Sequence, residues 1–390
     1  MRIIRFIPLV LIWVVVSCAP AEDVSDQSAL LERMSASLHA ELEGDVVGYG
    51  FAMGTGQLVT GAGGLARLEG DGGPVDFTPD TPMILASVSK LVSALATLHL
   101  LQEQGLSVDA AIGPYLPSDW SVDPYIEDLT FAQLMSQTSG IKVHGNGPMS
   151  YERLKAFYTQ PVDPNSSTPC TRFSGPQPEL EITPSDLDFC YSNFNAAILM
   201  VLLPKLAGLE EDPNLDTRPT TLGSQYESLV QDAVFAPVGV DTAACAPDSD
   251  DYALSYIFPG QAPGKDWGAQ YGRCATGGWY VSPSGLAQVL ASVAIKDGRI
   301  LQETTTYSSL AAIRENGFGL DRKSPGMIEK GGVLGDDPGV LATTALIFFP
   351  ETGDPIPAVL FTNSTSKAGR IAHPRPYLER AYEAAKASTE

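Results

Sequence analysis

Apolar residues at the amino-terminal end of the chain follow first a helical and then a strand spacing. Within residues 28–43 the apolar positions recur every three or four residues, which places them on one face of a helix. These positions are Leu30, Leu31, Met34, Leu38 and Leu42. Residues 46–53 and 57–68 alternate in polarity around Gly54-Thr55-Gly56 and predict a hairpin.

The remainder of the chain places helices between strands. Residues 90–275 carry helix signals interrupted by loops rich in proline, glycine and aspartate. Residues 340–349 and 358–363 are typical of strands, and residues 377–386 of a closing helix. Strands at both ends with helices between them predict an α/β (α+β) fold, in which one sheet is assembled from distant segments and a helical region is inserted.

One predicted helix is apolar on nearly every side, and it follows a serine and a lysine. Residues 91–104 are rich in leucine, alanine and valine, which predicts burial. Ser87 and Lys90 precede them and lie three residues apart, on one face of a helix. The Lys90 ammonium can therefore contact the Ser87 hydroxyl and help to remove its proton. A helix-capping serine is the alternative interpretation.

Two further triplets follow this pair in sequence. Tyr191-Ser192-Asn193 is the only Tyr-x-Asn of the chain, and Lys330-Gly331-Gly332 precedes a predicted strand. The other two Ser-x-x-Lys matches, Ser139/Lys142 and Ser364/Lys367, lie in sequences typical of turns. Context therefore favours Ser87 as the candidate nucleophile.

The order Ser-x-x-Lys, Tyr-x-Asn and Lys-x-Gly resembles that of the serine β-lactamase and penicillin-binding protein superfamily. The closest likeness is to its class C type, which includes class C β-lactamases, D-alanyl-D-alanine carboxypeptidases and related esterases. Residues 77–82 resemble the strand that leads to the nucleophile, and residues 129–140 the segment that ends in Thr-Ser-Gly. Gly277-Gly278-Trp279 resembles a further family segment, so the likeness extends from about residue 45 to about residue 385.

The resemblance implies an architecture as well as a chemistry. It implies an antiparallel sheet flanked by N- and C-terminal helices, an inserted all-helical subdomain, and a site at their junction. The catalytic domain would span residues 28–385. Its α/β part would comprise about residues 28–86 and 276–385, and its helical part about residues 87–275.

The resemblance also implies roles for individual residues. Ser87 would attack a carbonyl and form an acyl-enzyme, and Lys90 would keep the alkoxide accessible. Tyr191 would be the general base, which requires cations such as Lys90 and Lys330 to stabilise its phenolate. No cofactor and no metal ion is implied.

Substrate binding would involve the two later triplets. Asn193 would hydrogen-bond the substrate amide or Lys90, and Lys330 would supply positive charge beside Gly332. The backbone N–H groups of Ser87 and Val333 would stabilise the developing oxyanion.

Two departures from the family pattern affect the substrate prediction. Gly331 replaces the usual threonine or serine, whose hydroxyl helps to hold a substrate carboxylate, and three extra residues separate Lys330 from Pro338-Gly339. Gln137 stands where histidine is usual, a change expected to affect packing. Lys330 thus favours a substrate with a carboxylate, whereas Gly331 favours esters or peptides with other end groups. A β-lactam, a D-alanyl peptide and a small ester all stay open.

Two other functions compete with this prediction. A Ser-His-Asp hydrolase would need motif context that the four histidines, His39, His99, His144 and His373, do not have, and the chain contains no Gly-x-Ser-x-Gly. The non-enzymatic alternative is a degenerate family member that binds cell-wall peptide or lactam without turnover.

The amino terminus carries an export signal. A basic start is followed by eleven apolar residues, and Val15-Val16-Ser17-Cys18 resembles a lipobox. We expect a signal peptide over residues 1–17, lipidation of Cys18 and a tether over residues 18–27, giving a bacterial cell-envelope lipoprotein. An ordinary secretory signal with an incidental cysteine is the alternative.

The composition of the chain limits the classes of molecule that it is expected to bind. The formal net charge of −22 repels nucleic acid, so no nucleic-acid partner is expected. We expect a monomer whose partners are its substrate and the membrane. The four cysteines that follow Cys18 allow three disulfide pairings in an exported chain. The nearest-neighbour pairing is favoured, and disulfides are favoured over a metal site. That pairing joins Cys170 to Cys190 and Cys245 to Cys274.

Overall fold

The architecture was analysed in a computed structural model. It describes most of the chain after residue 20. The described residues are 21–145, 147–163, 165–170, 182–214, 216–247, 250–303, 305–321, 328–336, 340–350, 355–369 and 374–388. The predicted signal peptide and Cys18 lie outside them.

Six strands form the main sheet, and two short strands form a separate pair. The strands are β1 Gly48–Met53, β2 Val59–Arg67, β3 Val75–Asp76, β4 Met83–Ile84, β5 Tyr280–Val281, β6 Ile328–Asp336, β7 Val340–Phe349 and β8 Ile356–Thr362. The sheet order is β3-β2-β1-β8-β7-β6, with antiparallel neighbours, and β4 pairs with β5. Strand β6 therefore lies at an edge.

Helices cover the sheet and fill the long central insertion. They are α1 Ala21–Leu42, α2 Ser89–Glu103, α3 Pro124–Glu127, α4 Phe131–Met135, α5 Tyr151–Tyr158, α6 Asn193–Ala197, α7 Leu199–Leu206, α8 Arg218–Val230, α9 Pro283–Ile295, α10 Leu310–Asn316 and α11 Pro374–Ala387. Among the described residues, no helix has both the length and the apolar character needed to span a membrane.

Alternate side chains of a strand point to opposite faces of the sheet, and both faces of this sheet are buried. Phe51 and Ile347 pack in a cluster with residues of α1 and α11, such as Met34. Their neighbours Ala52 and Leu346 face the larger core, which contains α2 and α9. The two terminal helices thus share one face of the sheet, and the helical insertion rises from the other.

The main predicted elements are present. The hairpin forms as β1 and β2, with Met53 opposite Val59, and β7 has the predicted bounds. Helix α1 begins earlier than predicted, at Ala21. The prediction of a strand over residues 77–82 is wrong. Thr78 and Thr81 close a turn there through the Thr81 N–H and Thr78 carbonyl, and two prolines in this stretch carry no N–H for a ladder.

Candidate active site

A tight turn presents Ser87 at the start of α2. Ala86, which precedes it, has a left-handed backbone with φ of 47°, a conformation that costs energy in a residue with a side chain. Two hydrogen bonds fix the turn at Leu85: its N–H donates to the Trp279 carbonyl at 2.7 Å, and its carbonyl accepts from Thr344 Oγ1 at 2.5 Å. The strained turn leaves Ser87 half-buried and accessible.

Ser87 lies within reach of a phenol and an ammonium group. The Tyr191 hydroxyl donates to Ser87 Oγ at 2.7 Å, and Lys90 Nζ lies 3.4 Å from the same oxygen. Lys90 Nζ also donates to the Thr276 carbonyl at 2.7 Å, which orients the lysine. Once Tyr191 is deprotonated, its phenolate oxygen is an acceptor in direct contact with the Ser87 hydroxyl, as nucleophilic catalysis requires.

Two ammonium groups flank the ring of Tyr191. Lys90 Nζ lies 4.9 Å and Lys330 Nζ 5.1 Å from the ring centre, and the His144 ring stacks on it at 5.1 Å. Burial by itself raises the pKa of Tyr191, but the charges of Lys90 and Lys330 and the hydrogen bonds that Tyr191 makes with Lys90 and Ser87 outweigh it. The pKa of Tyr191 is therefore below its ordinary value, which favours the phenolate.

Lys90 is tuned in the same direction. It is 3% exposed, and burial lowers its pKa. Tyr191 opposes this shift, whereas the charge of Lys330 adds to it. A lysine with a lowered pKa exchanges a proton with a neighbouring phenol more readily than an exposed lysine does.

The segment that carries Tyr191 is held from both sides by one buried residue. The Gln137 carbonyl accepts from the Cys190 N–H at 2.9 Å, and Gln137 Oε1 accepts from the Ser192 N–H at 2.8 Å. Gln137 Oε1 also accepts from Asn195 Nδ2 at 3.0 Å. Gln137 thus acts as a hydrogen-bonding residue, beyond the packing effect expected from the sequence.

Asn193 lies at the start of α6, on the same segment as Tyr191. Its N–H donates to the His144 carbonyl at 2.7 Å, and its Nδ2 donates to the Gly145 carbonyl at 2.6 Å. The side-chain nitrogen is therefore engaged by the backbone. The sequence had assigned it to the substrate or to Lys90.

Gly332 brings strand β6 against the turn at Ser87. A Cβ at this position would lie 2.5 Å from Thr344 Oγ1, 2.6 Å from the Leu85 carbonyl oxygen and 3.0 Å from the Ser87 nitrogen. A side chain would therefore push the strand away from the turn. Glycine is required at 332 for this close approach.

The same strand directs an amide towards the site. The Gly331 N–H points away from β7, since it donates to Asp321 Oδ2 at 3.0 Å. N–H groups alternate in direction along a strand, so the N–H of Val333 points to the same side. Val333 is 38% exposed, and its N–H lies on the outer edge of β6, next to the residue that packs against the Ser87 turn.

Lys330, which the resemblance implies as a positive charge for substrate binding, is paired with a carboxylate of its own chain. It is 1% exposed, and its Nζ contacts Asp321 Oδ1 at 2.5 Å. Burial lowers the pKa of Lys330, but Asp321 and Tyr191 outweigh burial and raise it. Burial raises the pKa of Asp321, but the charge of Lys330 outweighs burial, so the pKa of Asp321 is below its ordinary value. Lys330 and Asp321 therefore form an ion pair.

Two disulfides end beside the site. Cys170 pairs with Cys190, with Cα atoms 5.6 Å apart, and Cys190 is adjacent to Tyr191. Cys245 pairs with Cys274, with Cα atoms 5.5 Å apart. Cys274 lies two residues before Thr276, which contacts Lys90. This is the nearest-neighbour pairing favoured from the sequence.

The structure thus brings the predicted residues together in one cluster at the edge of the sheet. Sequence reasoning missed Asp321 and the stacking of His144 on Tyr191. Asp321 belongs to no motif, and it contacts β6 from outside the strand, so no local pattern indicates the contact. His144 precedes the Tyr191 segment by almost fifty residues, so no local spacing indicated its role.

Comparisons with known proteins identify the family and the fold. The sequence model of the family described as Beta-lactamase matches residues 41–382. A comparison with curated protein sequences found no significant match. Among solved structures, the class C β-lactamase from Rhodobacter sphaeroides has a TM-score of 0.59 at 17% identity, covering 90% of this chain and 99% of its own.

Two other solved structures are similar over nearly the whole chain. The β-lactamase/D-alanine carboxypeptidase from Yersinia pestis has a TM-score of 0.59 at 15% identity, covering 95% of this chain and 99% of its own. The D-amino acid amidase from Ochrobactrum anthropi has a TM-score of 0.60 at 19% identity, with coverages of 93% and 100%. At these identities the structures establish a shared fold. The family model covers most of the chain, and the protein therefore belongs to the β-lactamase family.

Proposed function

We propose that the protein is a serine hydrolase that cleaves an amide, lactam or ester bond through an acyl-enzyme on Ser87. The observation that carries this proposal is the 2.7 Å contact between Ser87 Oγ and the Tyr191 hydroxyl, beside two ammonium groups. A serine in such a contact can be deprotonated as it attacks, which an isolated surface serine cannot.

In the acylation step, the Tyr191 phenolate takes the proton of Ser87 as Oγ forms a bond to the substrate carbonyl carbon. The carbon–nitrogen or carbon–oxygen bond then breaks, and the leaving group receives the proton from Tyr191. Lys90 and Lys330 stabilise the phenolate at the start of the step and after its end.

The negative charge that develops on the carbonyl oxygen is stabilised by backbone amides. Ser87 N–H and Val333 N–H are the donors in this proposal. The direction of the Gly331 amide and the closeness of Gly332 to the Ser87 nitrogen support it.

Hydrolysis of the acyl-enzyme repeats the same chemistry with water. Tyr191 takes a proton from the attacking water, the carbon–Oγ bond breaks, and Ser87 recovers its proton from Tyr191. The half-buried position of Ser87 is compatible with the approach of water.

The names of the structural neighbours support hydrolysis of acyl bonds without choosing a substrate. They include a β-lactamase, a D-alanine carboxypeptidase and a D-amino acid amidase. We propose that this protein acts on the same general class of carbonyl compound, as a monomer held at the cell envelope by a lipid on Cys18.

Intact-protein mass spectrometry tests the catalytic proposal. The chain after Cys18 is treated with a fluorophosphonate and, separately, with a penicillin, a D-Ala-D-Ala peptide and a p-nitrophenyl ester. We expect an adduct or product with the parent protein and none with Ser87→Ala. Absence of labelling and of turnover with every compound would contradict the proposal and favour a binding role.

A further inference from the structure

The ammonium group of Lys330 already carries a carboxylate from its own chain. Asp321 Oδ1 contacts Lys330 Nζ at 2.5 Å, and Asp321 Oδ2 accepts from the Gly331 N–H at 3.0 Å. The two carboxylate oxygens therefore use both donors that an anionic substrate group would seek at this end of β6. The Asp321 side chain keeps 28% of its surface exposed, so solvent reaches the carboxylate beside Lys330.

The backbone around Asp321 holds the carboxylate in this position. The Asp321 N–H donates to the Glu329 carbonyl at 3.1 Å, which places the residue along the outer edge of β6. Phe318 and Leu320 are each 2% exposed and anchor the preceding segment in the core. Asp321 is therefore a fixed part of the site.

Gly319 brings this segment against the helix of the nucleophile. Its φ of 70° is left-handed, and a Cβ would lie 2.6 Å from the Leu91 Cα and 2.8 Å from the Lys90 carbonyl oxygen. Only glycine allows this approach without displacing the helix. The position of Asp321 is thus tied to the backbone of helix α2, which contains Lys90 and follows Ser87.

The ion pair changes what the site can attract. A substrate carboxylate approaching Lys330 would meet an ammonium group that is already paired, and the negative charge of Asp321 would repel it. The free-energy cost of removing the substrate carboxylate from water would then be offset by little attraction to Lys330. Gly331 supplies no hydroxyl that could offset this loss.

We propose that Asp321 determines specificity, so that the enzyme acts on esters or amides whose leaving group carries no carboxylate. This inference rests on the proposed hydrolase function and assigns its substrate class. A polar but uncharged leaving group can lie beside the Asp321–Lys330 pair without breaking it. An anionic one must displace Asp321 first.

A matched pair of esters tests the proposal. The two share one acyl group; one has a phenol as leaving group and the other a 3-carboxyphenol. We expect the kcat/KM of the whole chain after Cys18 to be roughly tenfold or more higher for the neutral ester, since specificity is built partly from such repulsion. A preference of the parent protein for the carboxylated ester would overturn the proposal.

Asp321→Asn identifies the residue responsible. The variant keeps the shape and loses the charge, so Lys330 becomes available, and the preference for the neutral ester should fall by roughly tenfold or more. In Asp321→Asn/Lys330→Met this change should disappear. Asp297→Asn is the matched charge control, because Asp297 bonds Ser292 and Arg299, away from the site. It should keep the parental preference.

The outcomes separate this inference from the catalytic proposal. If the parent protein cleaves neither ester and no fluorophosphonate labels Ser87, the hydrolase function fails. If it cleaves both esters and Asp321→Asn, shown to be folded by its thermal transition, keeps the parental preference, the role of Asp321 alone is wrong. The preference of the parent protein decides the substrate class even when the variant does not fold.

Discussion

Gln137 Oε1 accepts a hydrogen bond from the Ser192 N–H at 2.8 Å, and it thereby fixes the residue that follows Tyr191. The Gln137 carbonyl fixes the residue before Tyr191 in the same way, through the Cys190 N–H. Gln137 is 4% exposed and has a left-handed φ of 63°. A buried side chain in a strained conformation thus positions the phenol against Ser87.

Gln137→Leu should therefore lower both stability and activity. Leucine has a similar volume but cannot accept from Ser192 or Asn195, and buried donors without partners cost about 1–3 kcal/mol each. Denaturant unfolding measures the first effect and the rate of Ser87 labelling the second. Gln137→His restores a side-chain acceptor, and it should retain more activity than the leucine variant. Equal labelling rates in all three proteins would contradict the positioning role.

The pH dependence of hydrolysis should report the cluster around Tyr191. The rate should rise with pH as Tyr191 loses its proton, below the ordinary pKa of 10.0, because Lys90 and Lys330 outweigh the effect of burial. It should fall when Lys90 loses its proton, below 10.5, because burial lowers that pKa. The two apparent values belong to the coupled cluster, which includes Asp321 and His144.

Two variants test this assignment. Tyr191→Phe should lower kcat by about 10²–10⁴-fold, the contribution expected of a general base. Lys330→Met removes one of the charges that lower the pKa of Tyr191 and leaves the Asp321 carboxylate, so the rising limb should move to higher pH. A pH–rate profile of kcat/KM measures the shift. An unmoved rising limb in Lys330→Met would show that Tyr191 is not the group that titrates.

Gly332→Ala should separate β6 from the nucleophile turn. Two of the three nearest atoms to the new Cβ belong to the backbone of Leu85 and Ser87, which cannot rotate away. We expect a loss of about 1–3 kcal/mol in unfolding free energy, the usual cost of overpacking, with slower acylation. Gly56→Ala is the control, since its Cβ would meet open space. Thermal unfolding and labelling kinetics of both variants provide the comparison.

The disulfide between Cys245 and Cys274 should matter for Lys90. The two cysteines are 29 residues apart in the sequence. Cys274 lies two residues before Thr276, whose carbonyl accepts a hydrogen bond from Lys90. Cys245→Ala/Cys274→Ala should lose about 2–5 kcal/mol of stability. Calorimetry measures this loss, and slower Ser87 labelling below the transition temperature would reveal a less well-oriented lysine. Cys170→Ala/Cys190→Ala is a second disulfide deletion for comparison.

Patterns that depend on neighbouring residues were predictable from the sequence. The hairpin of β1 and β2 follows from alternation around Gly54-Thr55-Gly56, and α2 follows from its apolar run. The meeting of Ser87, Lys90 and Tyr191 followed from the order of motifs in a resembling family. The first two predictions rest on local physics, whereas the third needed knowledge of a fold.

Strand β6 and the Asp321 contact were harder to predict for a physical reason. Three of the nine residues of Ile328–Asp336 are glycine, which leaves little side-chain alternation and a low strand propensity. The position of Asp321 depends on the Phe318 and Leu320 anchors and on its pairing with Glu329, none of which has a local sequence signal. The motif therefore predicts a positive charge at Lys330 but not the carboxylate that pairs with it.

The placement of β6 at the margin of the sheet also bears on the colloidal behaviour of the protein. An unoccupied margin offers amide and carbonyl groups on which a strand of another molecule can add, the first step of many aggregation processes. Here Asp321 bonds the outward groups of Glu329 and Gly331, and the Ser87 turn packs against Gly332. The contacts that build the site therefore also cap strand β6, and they help a strongly acidic protein to remain dispersed.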